Sequence, residues 1–298
     1  MRFTYLFGLI LLIALSHNSV VQAQPLVQVQ WLESRLENEE IVILDIRSPR
    51  KSRDFYAEGH IQGAVSAPYN SGWRKTIDGV IGMLPPVDEI SSHIGGLGVG
   101  NQSHVVIVPF GNSSTDFAAA TRVYWTFKVL GHTKVSILEG GYAAWLASGL
   151  RLSREPTVLS KQNFVADFQS QLLASEEEVQ KSIGANVSLI DARPTAQFEG
   201  KAKSPVVARA GTLPKAMNLR QSTLYSPRKA RFLTEDEINA STAKIGISSD
   251  EKSITFCNTG HWASIAWFAL SEISGQENVS LYDGSMAEWT ITVDNPIQ

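Results

Sequence analysis

Short, continuously apolar runs alternate along the chain with longer stretches in which apolar and polar positions are mixed. In the first half, the apolar runs that are rich in β-branched residues lie near 41–45, 104–109 and 135–138. The mixed stretches with helical spacing lie near 27–38, 115–130 and 141–148. Continuous apolar strands separated by helices predict a mainly parallel sheet that is flanked by helices on both faces.

The second half of the chain repeats segments of the first half in the same order. Three pairs of segments resemble each other: 41–49 with 187–194, 59–65 with 211–218, and 135–145 with 279–289. One such pair could arise by chance, but three in the same order indicate a duplicated domain. We therefore predict an α/β protein with two tandem domains of the same architecture.

Length and composition are consistent with two domains. The chain has 298 residues, of which 43% are hydrophobic, so it can build a sizeable core in each half. Residues 151–162 are polar and contain a proline, and we interpret them as a linker. This interpretation gives an N-terminal domain at 24–150 and a C-terminal domain at 163–298.

Residues 1–23 have the pattern of a secretory signal peptide. A positive start at Met1 and Arg2 precedes an apolar run at 5–15, and residues 21–23 offer small side chains for cleavage. The apolar run is shorter than a membrane span requires. We expect an exported protein, periplasmic in a Gram-negative bacterium, without a stable membrane span after cleavage. The alternative is an uncleaved anchor.

The chain contains a single cysteine, Cys257, between a strand-like run and a stretch from Ala263 to Ile273 that we predict to be helical. A thiol at the start of a helix faces unpaired N–H groups and the positive end of the helix dipole, and both favour thiolate over thiol. The alternative is a small buried apolar residue. One cysteine cannot form an internal disulfide, so in an oxidising compartment it has to be buried or used.

Charge and histidine content exclude other classes of function. The net charge is −3, which argues against a nucleic-acid partner. The densest basic stretch, 220–231, is interrupted by polar residues and is interpreted as a solvated loop. The six histidines are scattered, and no cysteine or histidine spacing matches a metal site, so we expect neither a metal nor a cofactor.

Only the second copy has the thiol. When the copies are aligned, residues 253–257 fall on 105–109, and Pro109 takes the place of Cys257. Ligands of parallel α/β sheets bind at the carboxyl ends of the strands, where Cys257 is expected. Thiol chemistry is therefore expected in the C-terminal copy alone, with the N-terminal copy as a scaffold or as one wall of the cleft.

Together these segments resemble the tandem-domain rhodanese family, the thiosulfate and 3-mercaptopyruvate sulfurtransferases. The resemblance covers nearly all of residues 26–296 and depends on four kinds of element that occur in order. These are the Asp-x-Arg turns, the Gly-x-(Ile/Leu)-x-x-Ala elements, the Cys-x-x-Gly loop at 257–260, and the elements at 140–145 and 283–289. The resemblance implies two rhodanese-like domains, of which the N-terminal one is inactive.

The resemblance also implies a reaction. The Cys257 thiolate would take the outer sulfur of a small sulfur-containing donor, and the persulfide would pass that sulfur to cyanide, to a thiol or to a protein acceptor. Backbone N–H groups of the loop would bind the negative persulfide, and a glycine permits the tight turn. The predicted persulfide-binding residues are Asn258, Thr259, Gly260, His261 and Trp262.

Several further residues have both a structural and a functional interpretation. Asp191 and Arg193 could form a pair that supports the loop, or Arg193 could contact substrate. His261 could donate or accept a proton, or it could be a hydrogen-bonding residue of the loop, and Trp262 is expected to form a wall of the pocket.

The loop departs from the family where donor charge is concerned. Asn258 and Thr259 stand where thiosulfate-using relatives carry cations, and Gln197 stands in place of a substrate-binding arginine. The loop does not match the mercaptopyruvate-type pattern either. Donor charge could instead be met by Lys201, Lys203 or Arg209, which lie in a longer insertion that we expect to be flexible.

Two alternatives remain at this point. Phosphatases and arsenate reductases also place a cysteine in such a loop, but their loops usually end in an arginine, and here the matching residue is Trp262. The second alternative is a sulfur carrier or binding module without turnover, docked to a partner protein.

Overall fold

Two five-stranded parallel sheets organise the chain in the computed structural model, which describes residues 23–298. The strands of the first half are β1 (Leu26–Val27), β2 (Ile41–Asp45), β3 (Val65–Ser66), β4 (Lys75–Ile77), β5 (Val80–Met83), β6 (His104–Val108) and β7 (Val135–Leu138). The strands of the second half are β8 (Leu173–Ala174), β9 (Val187–Asp191), β10 (Met217–Asn218), β11 (Tyr225–Ser226), β12 (Arg231–Phe232), β13 (Lys252–Phe256) and β14 (Val279–Tyr282).

Helices connect these strands in both halves. In the first half they are α1 (Val29–Glu33), α2 (Phe55–Glu58), α3 (Val87–Gly96), α4 (Ser114–Val129) and α5 (Gly141–Ala147). In the second half they are α6 (Glu176–Ser182), α7 (Thr195–Phe198), α8 (Glu235–Lys244), α9 (His261–Trp267) and α10 (Ser285–Trp289). Short 3₁₀ turns occur at Ser170–Leu172, Gln221–Thr223 and Pro227–Lys229, and α9 continues as a π-helix at Phe268–Ile273.

The two sheets have the same strand order. The first is β1-β7-β6-β2-β3 and the second, read in the same direction, is β8-β14-β13-β9-β10, with every neighbouring pair parallel. Val108 pairs with Asp45 in one sheet and Phe256 pairs with Asp191 in the other, so Pro109 and Cys257 occupy equivalent positions. The predicted fold class and the alignment of the two copies are confirmed.

Two details differ from the predictions. The helix expected at 27–38 covers only Val29–Glu33, because the residues that follow are polar except for Leu36 and offer no apolar face to pack. The helix expected from Ala263 to Ile273 is divided, with an α-helical part that begins at His261 and a π-helical part. The antiparallel hairpins β4–β5 and β11–β12 were not predicted.

The longest helix of the first domain, α4, packs against α9 of the second. Eleven residues of α4 are buried, which covers more than one face of the helix. The hydroxyl groups of Thr121 and Ser264 lie 2.8 Å apart, and Ser264 also donates to the carbonyl of Ala118. One hydrophobic cluster contains residues of both domains. The interface is therefore continuous with both cores, and it fixes how the two sheets face each other.

The segment between the sheets lies against the first domain. His60 and Ser153 exchange backbone hydrogen bonds of 2.9 and 2.8 Å, and the N–H of Gln162 donates to the carbonyl of Gly95. The predicted boundaries at 150 and 163 stay predictions.

The predicted signal peptide at 1–23 lies outside the described residues apart from Ala23. Within residues 23–298, the helices are too short or too polar to cross a membrane.

Candidate active site

Cys257 lies where β13 ends and the turn into α9 begins. Its side chain is buried, with only 1% of its surface exposed. The strand forms here because its apolar residues, such as Ile254 and Phe256, are buried between the helix layers. The carbonyl of Cys257 accepts a hydrogen bond from the N–H of Met286 at 3.0 Å, so the cysteine is fixed to the start of α10 as well.

The turn that follows requires a glycine. Gly260 has a φ of +71°, in the left-handed region that L-residues rarely adopt. A Cβ atom at this position would lie 2.4 Å from Nη1 of Arg122 and 2.6 Å from Oδ1 of Asp283. Gly260 therefore lets the loop pass close to Arg122 and Asp283, which form an ion pair.

Ser285 is hydrogen-bonded to the backbone of the cysteine loop. Its hydroxyl accepts hydrogen bonds from the N–H groups of Cys257 and Gly260, both at 3.1 Å, and donates to the carbonyl of Tyr282 at 2.8 Å. The residue is fully buried and has a φ of +51°, a strained conformation for a serine. The equivalent residue of the first domain, Gly141, has a φ of +59° without that strain.

Sequence reasoning missed Ser285. The available signal was the replacement of a glycine by a serine between two otherwise similar segments, 135–145 and 279–289.

Cations reach the loop from the first domain, which the sequence did not predict. Arg74 donates to the carbonyl of Thr259 and, at 2.8 Å, to the carbonyl of Gly82. Arg122 of α4 is fully buried and pairs with Asp283 at a distance of 2.5 Å. Burial by itself lowers the pKa of Arg122, but the Asp283 carboxylate outweighs this effect, so the pKa is raised.

His261 is neutral and bonded to the first domain. Burial lowers its pKa to about 3, and the positive charges of Arg74 and Arg122 act in the same direction. Its Nδ1 lies 2.8 Å from the hydroxyl of Tyr69. Burial raises the pKa of Tyr69, so the phenol keeps its proton. His261 is therefore hydrogen-bonded to a residue of the first domain, and a role in proton transfer stays a prediction.

The other loop residues are held by side-chain contacts. The indole N–H of Trp262 donates to Oγ1 of Thr115 at 3.3 Å, and Nδ2 of Asn258 donates to Oε1 of Gln197 at 2.9 Å. Within the described part of the chain, the buried Oδ1 of Asn258 has no hydrogen-bond partner.

Asp191 and Arg193 form a buried pair. The guanidinium donates to both carboxylate oxygens, at 2.6 to 3.0 Å, and to the carbonyl of Gly211 at 2.8 Å. The first domain contains the same arrangement in Asp45 and Arg47, whose guanidinium donates to the carbonyl of Gly59. Since the pair occurs in the copy without a cysteine, it serves the shared fold.

A cavity of about 240 Å³ opens beside the cysteine loop. Its lining combines the first domain, the 204–206 segment and the loop, namely Ile81, Ser204, Val206, Cys257, Asn258, Thr259, His261 and Trp262. The first domain therefore provides one wall of the cleft. Gly260 is the one predicted loop residue that is outside this lining.

The predicted donor-charge contacts do not line the cavity. Lys203 donates to the carbonyl of Val207 at 2.9 Å, and Arg209 donates to the carbonyls of Thr290 and Thr292. Lys201 pairs with Glu199 at 2.7 Å. These side chains are therefore engaged by backbone carbonyls or a carboxylate.

Comparisons with known proteins agree with this geometry. The protein-family model of the rhodanese-like domain matches residues 28–148 and 175–292 of this chain. A putative thiosulfate sulfurtransferase of Haloferax volcanii is 30% identical over 94% of this chain and 98% of its own length. A 3-mercaptopyruvate sulfurtransferase of Escherichia coli K12 is 31% identical over 90% and 95%.

A solved structure supports the same assignment. SseA of Escherichia coli, described as a 3-mercaptopyruvate sulfotransferase with the rhodanese fold, superposes with a TM-score of 0.76 at 28% identity. The match covers 88% of this chain and 99% of SseA. The chain therefore belongs to the rhodanese family of sulfurtransferases, with two tandem rhodanese-like domains.

Proposed function

We propose that this protein transfers a sulfane sulfur from a small donor such as thiosulfate to a thiophilic acceptor through a persulfide on Cys257. The observation that carries the proposal is the position of the only cysteine, buried at a strand end beside an interdomain cavity and at the start of α9. The backbone N–H groups of such a turn favour a negatively charged sulfur.

The proposed reaction has two steps. The Cys257 thiolate attacks the outer sulfur of thiosulfate, a new S–S bond forms, and sulfite leaves with the electron pair of the broken bond. An acceptor nucleophile then attacks the outer sulfur of the persulfide, and the electron pair of the cleaved S–S bond returns to Cys257. No external oxidant or reductant is consumed, and the free enzyme is regenerated.

The loop argues against phosphate chemistry. Trp262 stands where an oxyanion-binding arginine would be, and its indole N–H is bonded to Thr115. Arg122, the buried arginine beside Gly260, is already paired with Asp283. A planar two-pronged donor for phosphate is therefore missing from this loop.

The experiment compares the wild type with Cys257→Ser. After thiosulfate treatment, the wild type should gain the mass of one sulfur at Cys257 and lose it when cyanide is added. The variant should fold but gain none, since a hydroxyl does not form a persulfide. Thiosulfate–cyanide turnover by the variant at the wild-type rate would contradict the proposal.

The same experiment separates an enzyme from a carrier. Repeated thiosulfate–cyanide turnover supports an enzyme. A single sulfur that is loaded but not turned over supports a carrier docked to a partner protein. The names of the two relatives differ in donor, thiosulfate for one and 3-mercaptopyruvate for the other, so both donors should be tested.

We also propose that the protein is exported, to the periplasm in a Gram-negative bacterium. The support is the charged, apolar and small-residue pattern of residues 1–23. The mass of the mature protein should correspond to a chain that begins after Ala23, and a mature chain that keeps these residues would contradict cleavage.

A further inference from the structure

A second cavity adjoins the cysteine cavity. It has a volume of about 300 Å³ and is lined by Gly79, Ile81, Val206, Ala208, Ala287 and Ile291. Ile81 and Val206 belong to the lining of both cavities, so the two cavities adjoin at these side chains, and we call them together the groove. We call the second cavity the apolar extension.

Large apolar side chains of this groove are exposed. The exposed fractions are 41% for Ile81, 39% for Val206 and 56% for Ile291. They come from three separate segments: the β4–β5 hairpin, the insertion before β10, and the chain after α10. Apolar side chains that converge from separate segments on one groove are typical of a binding surface.

The walls of the apolar extension are held in place. The N–H of Ala208 donates to Oγ1 of Thr290 at 3.0 Å, and Nη2 of Arg209 donates to the carbonyl of Thr292 at 2.7 Å. Lys203 holds the carbonyl of Val207 on the same segment. These contacts join the insertion to the chain after α10, so the groove is preformed.

The lining determines what can bind. Among the residues that the structure describes, those lining the two cavities include no lysine, arginine, aspartate or glutamate. The apolar extension is lined by glycine, alanine, valine and isoleucine alone, so a charged group that entered it would lose hydration without gaining a partner. An apolar substrate is favoured, because its binding removes its own apolar surface and the exposed side chains of the groove from water.

We infer that the acceptor is a thiol with an apolar, uncharged body that lies in the apolar extension while its sulfur reaches Cys257. This inference rests on the proposed function. The acceptor thiolate attacks the outer sulfur of the persulfide, the S–S bond at Cys257 breaks, and its electron pair stays on Cys257. The product is the persulfide of the acceptor.

The test measures kcat/KM for straight-chain alkanethiols from ethanethiol to hexanethiol, with thiosulfate as donor. Mercaptoacetate serves as a charged thiol acceptor, and cyanide serves as an acceptor without an alkyl chain. For the wild type we expect kcat/KM to rise about threefold for each added methylene that is buried. Mercaptoacetate should be a poorer acceptor than the longer alkanethiols.

Two variants of the apolar extension test whether this cavity causes the dependence on alkyl length. Ile291→Ser and Val206→Ser should lower the hexanethiol-to-cyanide ratio of kcat/KM by about tenfold, because each removes apolar contact. Val158→Ser is the matched control, since Val158 is 89% exposed and lines neither cavity. It should keep the wild-type ratio.

The outcomes separate the two proposals. If cyanide discharges the persulfide but kcat/KM does not depend on alkyl length, the inference is wrong and the proposed function stands. An alkyl dependence that both cavity variants retain also overturns the inference. If Cys257 takes no sulfur from any donor, the proposed function itself fails.

Discussion

At the scale of single residues, the two domains differ at two equivalent positions around the candidate site. Cys257 and Ser285 replace Pro109 and Gly141 of the first domain. Ser285 keeps the positive φ of the glycine and adds a hydroxyl that accepts two N–H groups of the cysteine loop. We interpret Ser285 as a positioning residue, since its contacts are with the loop backbone.

Ser285→Gly and Ser285→Ala test this interpretation. Both variants remove the acceptor shared by the two N–H groups, so persulfide formation should slow by about tenfold in each. The glycine variant should lose less stability, because alanine keeps the strained φ, which costs about 1 kcal/mol or more. Single-turnover sulfur loading and urea unfolding measure the two effects. Loading at the wild-type rate in both variants would show that the hydroxyl has no positioning role.

At the scale of elements, the turn between β13 and α9 combines an unusual backbone with a close contact. Gly260 has a positive φ and lies against the Arg122–Asp283 pair. Gly275, after the π-helix, has a similar φ of +68° but has open space where a Cβ would lie. A substitution at Gly275 therefore tests backbone strain alone, whereas a substitution at Gly260 tests backbone strain together with a steric conflict.

We expect Gly275→Ala to lower the free energy of unfolding by about 1 kcal/mol, the cost of the left-handed backbone. Gly260→Ala should lower it by about 3 kcal/mol and prevent sulfur loading, because the Cβ also displaces a buried ion pair. Urea unfolding of both variants measures the difference. Equal losses would mean that the loop can shift without disturbing Arg122.

At the scale of the whole molecule, the interdomain ion pair connects the first domain to the cysteine loop. Arg122 and Asp283 have side chains that are 0% and 3% exposed, and Asp283 also accepts from the N–H of Leu84. Removal of one partner would leave the other charge buried without compensation. The pair of Arg50 and Asp116 joins two segments of the first domain and provides a control, because its arginine is exposed.

Arg122→Met should therefore lower the free energy of unfolding by about 3 to 5 kcal/mol. Arg50→Met should lower it by less than about 1 kcal/mol, because the Arg50 side chain is 66% exposed. Chemical unfolding in urea at low and high salt measures both. Similar small losses for the two variants would argue that Arg122 does not hold the domains together.

Much of this architecture could be predicted from the sequence, because it is encoded in local patterns. The alternation of apolar runs and helical stretches predicted the parallel sheets, and the repeated segments predicted the duplication. The position of Cys257 at a strand end followed from the apolar run that precedes it.

Only the tertiary structure decided which side chains surround the cysteine. Tyr69, Arg74 and Arg122 approach the loop from the first domain, and no spacing within either repeat encodes these contacts. Lys203 and Arg209, which the sequence suggested as donor-charge contacts, are bonded to backbone carbonyls instead. The sequence by itself therefore determined the two sheets and the place of the thiol, since short-range periodicity and the repeated segments encode both. The surroundings of the thiol depend on the packing of residues that are distant in the chain.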